Sequence, residues 1–127
     1  MAVPITALYG AILGVFNVAL AANVSRVRGK VQVFLGTGDS EELSLAVRRH
    51  ANNAEYVPLA LVLLLAAELS GGGAGVLHGI GATLAVGRLL HAVGIGVKPS
   101  APRVLGALLT WLAIGAAGVY AALVAVR

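Results

Sequence analysis

The chain has 127 residues, of which 59% are hydrophobic and 11% are charged, and its mean hydropathy is +0.94. This composition excludes an ordinary soluble domain, in which about 25% of residues are charged, and it indicates a single all-α integral membrane domain over residues 1–127. The formal charge of +4 lies in a few basic clusters without stacking aromatics, which indicates membrane orientation and not nucleic-acid binding. The absence of cysteine excludes disulfides and a protein thiol nucleophile, and no metal site is predicted.

The two ends of the chain predict the first and fourth membrane spans. Met1 to Ser25 contains no charged residue and is long enough to cross a hydrocarbon core, which needs ~20 residues. The small residues before Asn23 leave a cleaved signal peptide as the rival interpretation, although no positive segment precedes the apolar stretch. Val104 to Val126 is also uncharged, and Pro99 and Pro102 lie just before it, where a helix can begin.

The glycines at 71–73 divide the central apolar region into a helical hairpin. A spanning arm of ~20 residues before the glycines must begin near Arg49, and the arm after them runs from Ala74 to about Val93. The polar segment "RRHANNAEYVP", residues 48–58, is therefore carried into the bilayer or to its edge, as are His78, Arg88 and His91. Such side chains are costly in hydrocarbon and normally face partners or a wet cavity.

Depth along the hairpin predicts which polar side chains meet. Residues at equal distance from the turn lie at the same depth, which brings together Glu55 with Arg88, Asn52 with His91, and Arg48 with Ile95. Positions 48, 52, 55 and 59 are also spaced to share one helix face. We expect an ion pair between Glu55 and Arg88, with either a structural role alone or a structural role combined with ligand contact.

The basic residues predict the orientation of the chain in the membrane. Arg26, Arg28 and Lys30 follow the first span, Lys98 and Arg103 precede the fourth, and the glycine turn carries no basic residue. By the positive-inside tendency both basic segments face the cytoplasm and both termini face outward. The polar cluster then opens toward the cytoplasm, which predicts an anionic cytosolic ligand.

The spacing Arg48-x-His50-x-Asn52-x-x-Glu55-Tyr56-x-Pro58, followed one helix later by Arg88-x-x-His91, resembles the signature of the MAPEG family. These are the membrane-associated proteins in eicosanoid and glutathione metabolism, and the likeness is strongest to small bacterial inner-membrane members. The resemblance covers nearly the whole chain, including the acidic "GTGDSEE" entrance to the second helix. It implies a homotrimer of four-helix subunits that bind glutathione between neighbours near the cytosolic face. The implied activity joins the glutathione thiolate to a lipophilic electrophile or reduces lipid hydroperoxides.

The resemblance also implies roles for individual residues. Glutathione would be held by Arg48, Asn52, Glu55 and Tyr56, with help from His50, Arg88 and His91, while Arg26 or Arg28 would reach in from an adjacent subunit. Glutathione has two carboxylates and one ammonium, so several guanidiniums around one carboxylate match its charges. Arg103, at the start of the fourth helix, is the expected catalytic cation that lowers the thiol pKa, with Lys98 as the alternative.

Two other function classes stay open. The best-known synthases of the family have a tyrosine where this chain has Ile95, which favours a non-catalytic lipid- or glutathione-binding protein of the same fold. Intramembrane Glu55, Arg88 and His91 would also suit a small proton-coupled transporter. The transporter is the weakest hypothesis, because the charges gather at one end of a straight hairpin. Structural roles are expected for the other polar and aromatic residues of the spans, namely Glu68, His78, Trp111 and Tyr120.

Overall fold

The computed structural model describes residues 2–127, which form four α-helices and no strand. The helices are α1 (Pro4–Val31), α2 (Glu41–Leu69), α3 (Ala74–Gly94) and α4 (Ala101–Ala125). α1, α3 and α4 are each long and apolar enough to cross a membrane. α2 has 29 residues but carries the polar segment in its N-terminal half. The predicted all-helical membrane fold is confirmed.

α1 is longer than the predicted first span and includes the first basic cluster. Its 28 residues extend about 42 Å at the α-helical rise, which exceeds a hydrocarbon core of about 30 Å. Arg28 and Lys30, predicted to follow the first span, therefore lie in the last turn of the helix, where cations complement the helix dipole. The helix ends at Val31 and is capped by Gln32, whose φ of 57° lies in the left-handed region.

α2 begins at Glu41, well before the expected start near Arg49. The Ser40 hydroxyl accepts a hydrogen bond from the Leu43 amide at 3.2 Å, which caps the helix. Lys30 Nζ also donates to Glu42 Oε2 at 2.7 Å, and this hydrogen bond holds the pKa of the exposed Glu42 carboxyl below its usual value. The tether between α1 and α2 should loosen as the pH falls through that lowered pKa, because protonation removes the charge of the acceptor.

Three sets of hydrogen bonds stabilise the other end of the bundle, near the start of α1 and the turn between α2 and α3. The Glu68 carboxylate accepts hydrogen bonds from the amides of Ile5 at 2.9 Å and Thr6 at 2.7 Å, so it caps α1 from another helix. The Tyr120 hydroxyl accepts from the Gly73 amide at 2.7 Å. The Tyr9 hydroxyl lies 3.1 Å from the carbonyl oxygen of His78. Glu68, His78 and Tyr120 therefore have structural contacts, in line with the roles expected from the sequence.

The most extensive helix contact is between α3 and α4, and not between the hairpin arms α2 and α3. Two glycines allow this approach, because a methyl group at Gly94 would overlap the backbone of Arg103 and one at Gly106 would overlap the backbone of His91. Close backbone packing of this kind stabilises membrane helices, since lipid supplies no hydrophobic force between them. It also brings His91 and Arg103 next to each other.

Most of the interior of the bundle is apolar and receives side chains from all four helices. Leu13, Leu64, Leu77, Leu84 and Ala117 are each at most 1% exposed. The outer surface carries large exposed apolar side chains such as Val15, Val62, Val86 and Leu112. A surface of this kind suits contact with lipid or with neighbouring subunits.

Candidate functional site

A cleft of about 410 Å³ opens between α2, α3 and α4, within the range of roughly 300–1,000 Å³ usual for small-molecule sites. Its α2 and α3 walls are polar and consist of Asn52, Tyr56, Arg88 and His91. Its α4 wall begins with Ser100 and Arg103 and continues with Val104, Ala107, Leu108, Thr110 and Trp111. The cleft therefore joins a cationic end to a mostly apolar wall.

A second, smaller cleft of about 140 Å³ lies beside the first. The two share Asn52, His91 and Arg103, and the smaller one extends to Arg48 and Ile95. Asn52 and His91, and likewise Arg48 and Ile95, line the smaller cleft together, as their predicted equal depth requires.

Arg88 is the centre of a buried hydrogen-bond network. The residue is 1% exposed, and its guanidinium donates to Asn52 Oδ1 at 2.7 Å, to Asn53 Oδ1 at 3.2 Å and to Thr110 Oγ1 at 3.3 Å. Asn53 Nδ2 in turn donates to Asn17 Oδ1 at 3.1 Å. The network links all four helices beside the larger cleft and fixes the position of the Asn52 amide.

The predicted ion pair between Glu55 and Arg88 is wrong. Among residues 2–127 the Glu55 carboxylate has Arg48 as its ion-pair partner, with Nη1 at 4.0 Å, and the Glu55 side chain is 55% exposed. The reason is the rotation of α2, whose buried face runs through Ala46, Asn53, Val57 and Ala60. Because successive helix residues are about 100° apart, position 55 points away from that face.

Arg49 and Asn53 are important residues that the sequence interpretation missed. Arg49 donates to the carbonyl oxygens of Ala92 at 3.0 Å and Ile95 at 2.6 Å, so it holds the end of α3 beside the clefts. Arg49 and Asn53 are the second members of the pairs "RR" and "NN". The analysis of helix spacing used only the first members, Arg48 and Asn52. The period of buried residues along α2 would have placed Asn53 on the core face. Asn17 was also detectable, as an amide inside an otherwise apolar span.

The structure brings six of the ten predicted site residues to the two clefts: Arg48, Asn52, Tyr56, Arg88, His91 and Arg103. His50 and Glu55 lie on α2 but outside the lining of either cleft. Arg26 is exposed and donates to Asn23 Oδ1 at 2.9 Å, while Arg28 donates to the carbonyls of Val33 and Gly36 in the loop after α1. No residue of α1 lines either cleft.

Tyr56 and Trp111 connect the two walls of the larger cleft. The Trp111 indole N–H donates to the Tyr56 hydroxyl at 3.4 Å, and the Arg88 guanidinium carbon lies 5.7 Å from the centre of the Tyr56 ring. A guanidinium at this distance from an aromatic ring makes a favourable cation–π contact. Trp111, for which a packing role was expected, also lines this cleft.

The arrangement suits a ligand with an anionic part and an apolar part. Three guanidiniums, those of Arg48, Arg88 and Arg103, line the two clefts and can pair with carboxylates. Arg103 is the third residue of α4, so the positive end of the helix dipole adds to its charge. Leu108 and Trp111 are more than half exposed and form the outer end of the apolar wall.

Comparison with known proteins agrees with this architecture. The model of the MAPEG family matches residues 6–123 of the chain. The inner membrane protein YecN of Escherichia coli K12 is 34% identical over 110 residues, which cover 87% of this chain and 84% of that protein. YecN of Escherichia coli O6:H1 strain CFT073 matches to the same extent. The chain is therefore a membrane protein that belongs to the MAPEG family, the membrane-associated proteins in eicosanoid and glutathione metabolism.

Proposed function

We propose that this protein is a glutathione-dependent membrane transferase, which joins the glutathione thiolate to lipophilic electrophiles or uses glutathione to reduce lipid hydroperoxides. The observation that carries the proposal is the larger cleft, in which the cationic residues Arg88 and Arg103 adjoin an apolar wall that ends at exposed Trp111. A water-soluble anionic thiol can enter at the polar end. A lipophilic co-substrate can enter from the bilayer along α4.

The reaction requires the thiolate, which is the nucleophilic form of glutathione. A free thiol has a pKa of about 8.5, so only a small fraction is ionised at neutral pH. The Arg103 guanidinium and the start of α4 favour the charged sulfur. Lowering the thiol pKa by about two units corresponds to ~2.7 kcal/mol and makes the thiolate the main species. The sulfur electron pair then forms a bond to carbon while the leaving group departs with its own pair.

Assembly as a homotrimer is part of the proposal. Glu55 is a half-exposed carboxylate near the membrane edge, and Arg26 is an exposed cation that does not reach the clefts of its own subunit. An ionisable group at this depth normally requires a partner. A neighbouring subunit that places Arg26 near Glu55 and Arg48 would complete a glutathione site between chains and would supply the missing α1 contribution.

Membrane placement completes the proposal. The basic end of α1 and the residues before α4 favour a cytoplasmic position for the clefts, with both termini outward. The similarity to the inner membrane protein YecN of Escherichia coli supports a location in a bacterial inner membrane. Glutathione is then available at the polar mouth, and membrane lipids surround the apolar wall.

Replacement of Arg103 tests the proposal directly. Arg103→Ala should lower turnover with a chlorodinitrobenzene electrophile by roughly tenfold or more, because the variant loses a charge that stabilises the thiolate. Glutathione affinity should change by only a few fold, since other arginines hold the carboxylates. The ultraviolet absorbance of the thiolate should titrate at higher pH. Lys98→Ala tests the alternative cation, and Arg127→Ala is the matched control because Arg127 is an exposed terminal residue outside the clefts.

A non-catalytic binding protein of the same fold is the second candidate. Ile95 favours it, because this buried side chain lines the smaller cleft and offers no hydroxyl to a ligand. Calorimetry in detergent separates the two candidates. Glutathione binding by the wild type without thiolate absorbance at neutral pH and without turnover of several electrophiles would replace the transferase with the binder.

A further inference from the structure

His91 occupies the point where the two clefts meet. It lines both of them and is only 6% exposed, so more than nine-tenths of the residue is buried. The close contact between α3 and α4 at Gly106 fixes the backbone of His91 against α4. The imidazole therefore lines the same cleft as Arg88, on its own helix, and Arg103, on the facing one.

The imidazole has no hydrogen-bond partner among residues 2–127. Nδ1 is fully buried and unpartnered, whereas the guanidinium of neighbouring Arg88 makes three hydrogen bonds. Buried polar groups are nearly always paired in folded proteins. Nε2 also makes no hydrogen bond among residues 2–127, and it is the less buried of the two ring nitrogens. An unpaired, buried histidine in a cleft indicates a contact made with the ligand.

We propose that His91 is the proton acceptor for the glutathione thiol, an inference that rests on the proposed function. The S–H bond breaks, the proton moves to Nε2 of the neutral imidazole, and the sulfur keeps the electron pair. That pair forms the C–S bond as the leaving group departs with its own pair. The imidazolium then returns the proton to water at the polar mouth, so glutathione and the electrophile yield the thioether, the leaving anion and one proton.

The other polar groups of the clefts cannot take this proton. The guanidiniums have no acceptor lone pair available, and the Asn52 amide and the hydroxyls of Tyr56, Ser100 and Thr110 are not bases at neutral pH. Imidazole, with an ordinary pKa of about 6.5, is the side chain suited to proton transfer near neutrality. Arg103 therefore stabilises the thiolate, and His91 removes the proton.

The charges around His91 make the transfer depend on bound glutathione. The titratable and charged groups that line the clefts with it are Arg48 and Tyr56 from α2, Arg88 from α3 and Arg103 from α4, and α1 contributes none. Guanidiniums alone are a poor environment for a further cation. The two carboxylates of bound glutathione offset two of those charges, and the new thiolate pairs with the imidazolium.

Counting protons at equilibrium tests the proposal without relying on turnover. Glutathione is added to the detergent-solubilised full chain in weak buffer, with thiolate followed by ultraviolet absorbance and released protons by a pH indicator. S-methylglutathione, which has no thiol proton, gives the baseline. Wild type should release clearly less than one proton per thiolate above that baseline, because His91 retains the proton. His91→Gln should form less thiolate and should release one proton for each thiolate that does form.

Kinetics supply the second measurement. His91→Gln should lower kcat by roughly a hundredfold and should remove the low-pH limb of the kcat profile, which protonation of the acceptor produces. Added imidazole should restore part of the turnover of His91→Ala, whose cavity can admit it. His78→Gln is the matched control, because His78 lies at the opposite end of the bundle, and it should behave like the wild type in every assay.

The outcomes test the role of His91 separately from the transferase activity. Turnover by the wild type with one full proton released per thiolate would overturn the role of His91 and leave the transferase in place. The same holds if His91→Gln keeps the wild-type pH profile. Glutathione binding without thiolate and without turnover in the wild type would overturn the transferase and the role of His91 together.

Discussion

At the scale of single residues, Asn53 is the key polar group of the bundle. It is fully buried, accepts a hydrogen bond from Arg88 Nε and donates one to Asn17 on α1. A buried guanidinium without acceptors is strongly unfavourable, so the asparagine amides allow a cation to lie in the interior without an ion pair. Glu55, which the sequence assigned to this task, is half-exposed and free to meet another subunit.

We therefore expect Asn53→Leu to lower the free energy of unfolding in detergent by about 2 to 3 kcal/mol, because Arg88 Nε and Asn17 Oδ1 lose their partner. The matched change Glu55→Gln should alter it by less than about 0.5 kcal/mol, since the 4.0 Å contact with Arg48 is exposed. Denaturant titration followed by circular dichroism measures both. A larger effect from Glu55→Gln than from Asn53→Leu would restore the ion pair as the main interaction of this region.

At the scale of helices, the contact between α3 and α4 builds the site. Gly94 and Gly106 allow the two backbones to touch at Arg103 and His91, two of the three residues shared by both clefts. Arg49 reinforces this corner from α2 by binding the last carbonyls of α3. The glycines therefore control the separation of the proposed proton acceptor from the proposed thiolate-stabilising cation.

Gly106→Ala should separate the two helices, because its methyl group would overlap the backbone of His91 and the carbonyl of Gly87. We expect a loss of about 1 to 3 kcal/mol in stability, the usual cost of overpacking, together with a larger loss of turnover than of glutathione affinity. Gly115→Ala on the same helix is the control, since a methyl group there meets nothing within 4 Å. Equal stability and turnover in the two variants would show that the tight contact is unimportant.

At the scale of the whole molecule, the two clefts draw on three of the four helices. The clefts receive residues from α2, α3 and α4 and none from α1, while Arg26 on α1 and Glu55 on α2 are exposed. This distribution supports the proposed trimer, in which a neighbouring α1 completes the pocket.

Mixed trimers test this arrangement. Trimers that combine Arg26→Ala chains with Asn52→Ala chains should recover part of the glutathione binding that each pure variant lacks, because some boundaries then contain both native residues. Calorimetry on trimers of verified composition measures the recovery. The control mixture combines Arg26→Ala chains with Arg26→Ala, Asn52→Ala double variants, and it should recover nothing. No recovery in the first mixture would place the site within one subunit.

The sequence alone determined the helical membrane fold and the neighbourhood of the site. Long uncharged runs and the glycine turn specify the helices, because hydrocarbon permits few other backbones. The α3 prediction from Ala74 to about Val93 agrees with the helix observed over Ala74–Gly94. Polar residues in such runs are costly, so Asn52, Arg88 and His91 marked the site without a structure.

Only the tertiary structure decided the partners of those residues. Sequence spacing gives the faces of a helix but not which face turns inward, and the observed rotation of α2 buries Asn53 and exposes Glu55. The glycines of α3 and α4 could each suggest a close contact, but which helix meets them depends on packing of the whole bundle, and α4 is the main partner of α3. The position of His91 between two clefts follows from that packing, because residues far apart in the chain meet only once the helices assemble.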